Sequence, residues 1–121
     1  MKVYGLRAAA GAVFNKKIDQ QIVANADQSF VRQCIKLDYN ADVDDAYIGL
    51  RHSTPIFVNL PHGENNKIMI FKDELGVCHQ YAVKINAAPG ETIELNDSFT
   101  LSAKFQSLTL IFGDGNWSII Q

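Results

Sequence analysis

Alternating apolar and polar positions dominate the chain from about residue 29 onward. In the stretch SFVRQCIKLDY, the apolar side chains of Val31, Ile35, Leu37 and Tyr39 fall on one face, which is typical of a half-buried strand. Short apolar runs separated by turn residues then follow at close spacing: YIGLR, PIFVNL, KIMIFK, QYAVKI, TIEL, FTLSA, SLTLIF and WSII. This spacing predicts an all-β fold, namely a single-domain antiparallel β-sandwich or a jelly-roll-like barrel with an N-terminal arm.

Two of these runs make specific predictions about burial. In PIFVNL, the alternation places Ile56, Val58 and Leu60 on one inward face. KIMIFK is apolar at both alternating sets of positions, which predicts a central strand covered on both sides.

Glycine, proline and asparagine predict the positions of the turns. Pro89 and Gly90 suit a type II turn, and the sequence GDGN between SLTLIF and WSII suits a hairpin turn. The only tryptophan begins the last apolar run, where we expect it in the core; the alternative is a surface residue that grips a ligand or partner. The residues predicted to form turns or core are Gly76, Gly90, Gly115, Asn116 and Trp117.

The first 28 residues lack a sustained pattern. They predict an N-terminal arm or peripheral strand over residues 1–28, followed by a β-sandwich domain over residues 29–121. Arg7 and two glycines interrupt the apolar stretch near Met1, which argues against a signal peptide. We see no internal repeat.

Length and charge exclude several classes of function. A chain of 121 residues forms one domain. The net charge is -2 and Lys16-Lys17 is the only cationic pair, which argues against nucleic acid as a partner. No apolar run approaches the length of a membrane-spanning helix, so we expect no membrane partner. Cys34 and Cys78 lie in different predicted strands, and the sequence leaves open whether they form a disulfide.

The polar residues give little sign of chemistry. His52 and Ser53 with Asp42, Asp44 or Asp45 could form a triad on paper, but no GxSxG pattern surrounds the serine. The acidic stretch NADVDD lacks the glycine and the late glutamate of a calcium loop. We therefore predict no catalytic residue, no cofactor and no metal, and a protein that is not an enzyme.

Several short motifs follow one another in a fixed order from about Asp45 onward. A strand ends in Leu-Pro, a second is followed by Lys-Asp and a glycine, and the chain closes on SLTLIFGDGNWSII. This order resembles the β modules of tailed-phage virion proteins: tail fibres, tailspikes, head fibres and capsid decoration or cement proteins. The residues that match are Leu60-Pro61, Lys72-Asp73, Gly76, Gly90, Thr92-Ile93, Thr100-Leu101, Ser107 to Leu110, Gly115-Asn116-Trp117 and Ile119-Ile120.

The resemblance implies a virion structural protein without a catalytic site. Such modules are commonly trimeric, so we expect a homotrimer that binds the major capsid protein or another virion protein. Candidate interface residues face away from the predicted core, where they could meet another subunit or a second sheet: Phe57, Met69, Phe71 and Ile111.

Two locations on a virion remain open. The first is the capsid surface, as a decoration or cement protein. The alternative is a tail or fibre component that takes part in host receptor binding, for which Tyr39, Tyr47 and Trp117 are the candidate contacts. A non-viral binding or adhesin module and an enzyme are the remaining alternatives.

Overall fold

A computed structural model describes residues 31–120, which form β-strands and no helix. The strands are β1 (Arg32–Ile35), β2 (Tyr39–Asn40), β3 (Tyr47–Leu50), β4 (Ile56–Asn59), β5 (Ile68–Asp73), β6 (Val83–Asn86), β7 (Thr92–Ile93), β8 (Ser98–Leu101), β9 (Ser107–Gly113) and β10 (Asn116–Ile119). The predicted all-β class is confirmed.

The strands belong to a 6-stranded sheet, in the order β1-β3-β5-β9-β10-β7, and a 4-stranded sheet, in the order β2-β4-β6-β8. From β1 to β8 the chain passes from one sheet to the other at every connection. Strands β1, β3 and β5 therefore pair in parallel, as do β2, β4 and β6. This solenoid-like arrangement over residues 32–86 is called the coil region below.

The remaining strands, over residues 92–119, are called the closing region. Strand β8 runs antiparallel to β6, and β9 runs antiparallel to both β5 and β10, while β7 pairs in parallel with β10. The sheets are thus mixed, and the prediction of a wholly antiparallel arrangement was wrong. Alternation along a strand defines its two faces but carries no information about the direction of its neighbour.

Inward side chains from both sheets join one hydrophobic core. Ile56, Val58 and Leu60 are buried, as their alternation predicts. Strand β5 also alternates, with Met69 and Phe71 fully buried. Ile68 is 43% exposed, so the prediction that this strand is covered on both sides was wrong.

The predicted strand around residues 29–39 is broken in the structure. Residues 36–38 lie between β1 and β2, which belong to different sheets. Ile35 is buried, whereas Val31 is 63% exposed and Leu37 is 73% exposed. The chain crosses between the sheets at this point, and the crossing interrupts the alternation that a single strand would keep.

The predicted turns at Gly90 and Gly115 are confirmed. Asp114 and Gly115 both have positive φ angles, of 54° and 78°, as a type I′ hairpin turn requires. Gly90 has a φ angle of 81°, and the amide of Glu91 donates to the carbonyl of Ala88 at 2.9 Å, which closes a type II turn after Pro89.

The predicted arm over residues 1–28 lies outside the described residues. The strands belong to a compact unit that begins at Arg32. Across residues 31–120, no helix is long and apolar enough to cross a membrane.

Candidate functional site

The two candidate triad residues His52 and Ser53 lie in different environments. His52 is buried, and its Nε2 atom lies 2.7 Å from the carbonyl oxygen of Tyr81. Ser53 is exposed. No hydrogen bond between described residues joins His52 or Ser53 to an aspartate of the acidic turn, so the structure does not assemble the triad.

The acidic turn is held together by its own side chains. Asp45 accepts hydrogen bonds from the Tyr39 hydroxyl at 2.7 Å and from the amide of Asp42 at 2.8 Å. Asp42 in turn accepts a bond from the amide of Asp44 at 3.2 Å. Over residues 31–120, no three His, Cys, Asp or Glu side chains are grouped so that they could hold a metal ion, and no pocket is present.

A buried carboxylate, Asp73, fixes the turn that follows β5. Its Oδ1 atom accepts hydrogen bonds from the amides of Gly76 at 2.9 Å and Val77 at 3.1 Å. Its Oδ2 atom accepts from the amides of Cys78 and Phe105, both at 2.9 Å. Burial alone would raise the pKa of Asp73, but these four hydrogen bonds favour the charged form and lower it.

Asp73 thereby joins the coil region to the loop before β9. Phe105 in that loop has a φ angle of 59°, and its ring lies against Gly76, where a Cβ atom would come within 2.5 Å of the ring. Beside Asp73, the thiol of Cys78 is buried, which raises its pKa to about 12. This role of Asp73 was not predicted from the sequence, where the only signal is its place at the start of the tight turn DELG.

A second carboxylate, Glu74, gathers cationic and hydroxyl groups on the outer face of the 6-stranded sheet. Arg32 donates to both of its oxygens, at 2.6 and 3.1 Å, and Tyr47 and Arg51 donate at 2.6 and 3.0 Å. These bonds, led by the one from Arg32, lower the pKa of Glu74 from 4.5 to about 2. Gly49 lies beneath the carboxylate, since a Cβ atom there would overlap it.

Two further surfaces lie on the outer sides of the two sheets. On the 4-stranded sheet, three asparagines stand side by side on neighbouring strands: Asn40 pairs with Asn59, and Asn59 pairs with Asn86. Their side-chain amides are joined by hydrogen bonds of 2.8 and 3.0 Å. Phe57 is 41% exposed on the same face. We call this surface, with Lys84, the amide face.

The other surface lies on the 6-stranded sheet. Ile68 pairs with Ile111, which in turn pairs with Ser118, and the amide of Ile120 donates to the carbonyl of Thr109. Ile68 and Ile120 are 43% and 49% exposed. We call the surface formed by Ile68, Ile70, Ile111 and Ile120 the isoleucine face.

The four predicted interface residues separate into different places. Met69 and Phe71 are 0% exposed within the core, so the expectation that they face away from it is corrected. The sequence of β5 does not show which of its faces is inward, because Ile68 and Ile70 on the outer face are as apolar as Met69 and Phe71. Phe57 belongs to the amide face and Ile111 to the isoleucine face, so the two do not share a patch.

The predicted turn and core residues have identifiable roles. Trp117 is fully buried, with its ring 5.0 Å from that of Phe112 in an edge-to-face arrangement. Asn116 accepts hydrogen bonds from the Thr92 hydroxyl and from the amide of Leu95, which fastens β7 to the final hairpin. Among the candidate receptor contacts, Trp117 is therefore not available at the surface.

The chain matches no protein-family model, and its sequence matches no curated protein.

Proposed function

We propose that this chain is a virion structural protein of a tailed bacteriophage, a decoration or cement protein that binds the capsid surface as a homotrimer. We further propose that its domain is a β-sandwich, which the common core of the two sheets supports. The motif order from about Asp45 onward motivates the virion assignment. We propose a role in assembly rather than catalysis because the polar clusters around Asp73 and Glu74 use their groups to hold strands and turns together.

The isoleucine face is the observation that best supports a homo-oligomer. Its side chains lie on β5, on β9 and directly after β10, which are neighbouring strands within the 6-stranded sheet. Exposed apolar side chains that cluster on one face suit burial against another subunit. We propose that Ile68 and Ile111 lie at the contact between subunits.

Light scattering on the purified chain tests the oligomer. We expect a trimer for the wild-type protein and a monomer for Ile68→Glu, because a charge at the contact loses its water on assembly. Leu37→Glu is the matched control: Leu37 is 73% exposed and lies in the loop after β1, an edge strand that β3 separates from β5 in the sheet. A monomeric wild-type protein, or a trimeric Ile68→Glu variant, would refute this contact.

Gold-labelled antibodies on intact virions test the location. Label spread over the head would support the capsid proposal, and loss of the protein should then make heads break more easily. Label confined to the tail would refute the capsid role in favour of the second candidate, and no label on any particle would refute both.

The second candidate is a tail or fibre component that takes part in host receptor binding. The amide face favours it, because it offers exposed and half-buried hydrogen-bonding groups beside an exposed aromatic ring.

A further inference from the structure

We propose that the amide face binds an uncharged oligosaccharide, which lies across the strands of the 4-stranded sheet. This inference deepens the receptor-binding candidate and rests on it for its biological role. The binding itself concerns only the residues of this face and is tested on the purified protein.

The first observation is the regular spacing of the amides. Asn40, Asn59 and Asn86 occupy paired positions on three neighbouring parallel strands, so their side chains repeat about every 4.8 Å. Each donates or accepts along the row, which fixes the planes of the three amides. A row of fixed amides suits a ligand that itself repeats along its length.

The row has hydrogen-bonding capacity left for a ligand. An asparagine side chain carries two N–H donors and an acceptor oxygen. No bond between described residues uses the Nδ2 group of Asn40 or the Oδ1 atom of Asn86, and Asn59 and Asn86 each use one N–H. The face therefore offers both donors and an acceptor, which is what hydroxyl groups require.

Phe57 adds an apolar surface beside this row. It lies two residues before Asn59 on β4, so both side chains project from the same side of the sheet, about 7 Å apart. The backbone amide of Phe57 donates to Asp38 at 3.0 Å, which fixes the strand under the ring. The asparagine row by itself stabilises the coils, but that role does not explain an aromatic ring left 41% exposed beside it.

The charges of the face select the class of ligand. Lys84 pairs with Phe57 across the strands, and Asp38 lies on the other side of Phe57. One cation and one anion give no net charge, so the face has no preference for a polyanion such as nucleic acid or a sulfated glycan. An uncharged sugar has hydroxyl groups that can bond to the asparagine amides and an apolar ring face that can pack on Phe57.

The face is the outer surface of a sheet, and no pocket is present in the part of the chain that the structure describes. Such a surface suits an extended chain that contacts several strands better than a single sugar. We therefore expect affinity to rise with the number of sugar units, because each unit adds contacts along the row.

The test is titration of the ¹⁵N-labelled protein with cellohexaose, maltohexaose and chitohexaose, with a heparin fragment as the charged comparison. The side-chain amide signals of Asn40, Asn59 and Asn86 report contact directly. We expect at least one uncharged probe to shift these signals selectively, and a shorter oligomer of the same sugar to bind more weakly. No selective shift with any uncharged probe, or equal shifts with heparin, would overturn the proposal.

Two matched variants locate the contact. Phe57→Ala should weaken binding of the active probe about tenfold, as expected when one aromatic contact is lost. Phe105→Ala removes a similarly exposed phenylalanine, 49% against 41%, from a different part of the surface and should leave the affinity unchanged. Equal losses in the two variants, with both folded, would overturn the site. The antibody labelling of virions is independent of this titration. If the oligosaccharide binds but no virion is labelled, the oligosaccharide site is retained and the viral role is refuted.

Discussion

The coil region and the closing region hold their strands together by different means. In the coil region each strand pairs with one that is distant in sequence, such as Tyr47–Leu50 with Ile68–Asp73, and all pairs are parallel. In the closing region, β9 and β10 are joined by a two-residue turn and pair directly. A parallel pair depends on contacts across long loops, whereas a hairpin is specified by the residues of its turn.

The two regions also differ in how side chains secure the sheets. The coils are linked by side-chain bonds between strands, the asparagine row on one sheet and Glu74 on the other. In the closing region the side chains secure backbone groups near a sheet edge: Glu94 accepts a hydrogen bond from the amide of Ile119 at 2.7 Å. Covering edge amides in this way limits further pairing there.

The largest expected effect concerns the core of the closing region. Trp117→Ala should reduce the free energy of unfolding by about 3–5 kcal/mol, because it removes a fully buried aromatic side chain and leaves a cavity. Urea denaturation monitored by circular dichroism measures this change. Ser118→Ala, at the neighbouring position on β10, is the control and should have a small effect. An unchanged urea midpoint for the tryptophan variant would show that this side chain does not stabilise the domain.

A smaller loss is expected where the two regions meet. Asp73→Asn should cost about 2–4 kcal/mol, because one oxygen is replaced by an NH₂ group that cannot accept from the amides of Cys78 and Phe105. The loop before β9 should also become more accessible to a protease. Asp44→Asn is the control, since that exposed side chain accepts none of the four bonds. If both variants denature at the same urea concentration, the buried carboxylate does not join the regions as described.

The smallest effect is a pH dependence confined to the coil region. Because the pKa of Glu74 is lowered from 4.5 to about 2, its stabilising contribution is complete above about pH 4.5 and is lost as the pH falls towards 2. Glu74→Gln should therefore lose less stability than the wild-type protein over this window. Asp73 also loses stability as it is protonated, but it is present in both proteins, so their difference isolates Glu74. Parallel pH profiles of the urea midpoint for the two proteins would contradict this.

The sequence predicted the local features of the closing region better than the coils. The turn at Asp114-Gly115 and the burial of Trp117 follow from turn chemistry and from one alternating run. The coils were missed because their signal is spread over the chain: Asn40, Asn59 and Asn86 each end a strand, in DYN, FVN and KIN, at unequal spacing. Unequal loops hide this repeat from any search for a fixed period. The asparagine row, and with it the candidate binding face, could be recognised only after pairing was known.

What the sequence alone determined is most of the strands, most of their inward faces, and the turns that glycine and proline permit, because these depend on residues within a few positions of one another. Only the tertiary structure decided which strands became neighbours and in which direction they run. That choice depends on how the core residues of both sheets pack together and on buried groups such as Asp73, whose partners lie up to 32 residues away. Alternation is the same in parallel and antiparallel strands, so it cannot distinguish them.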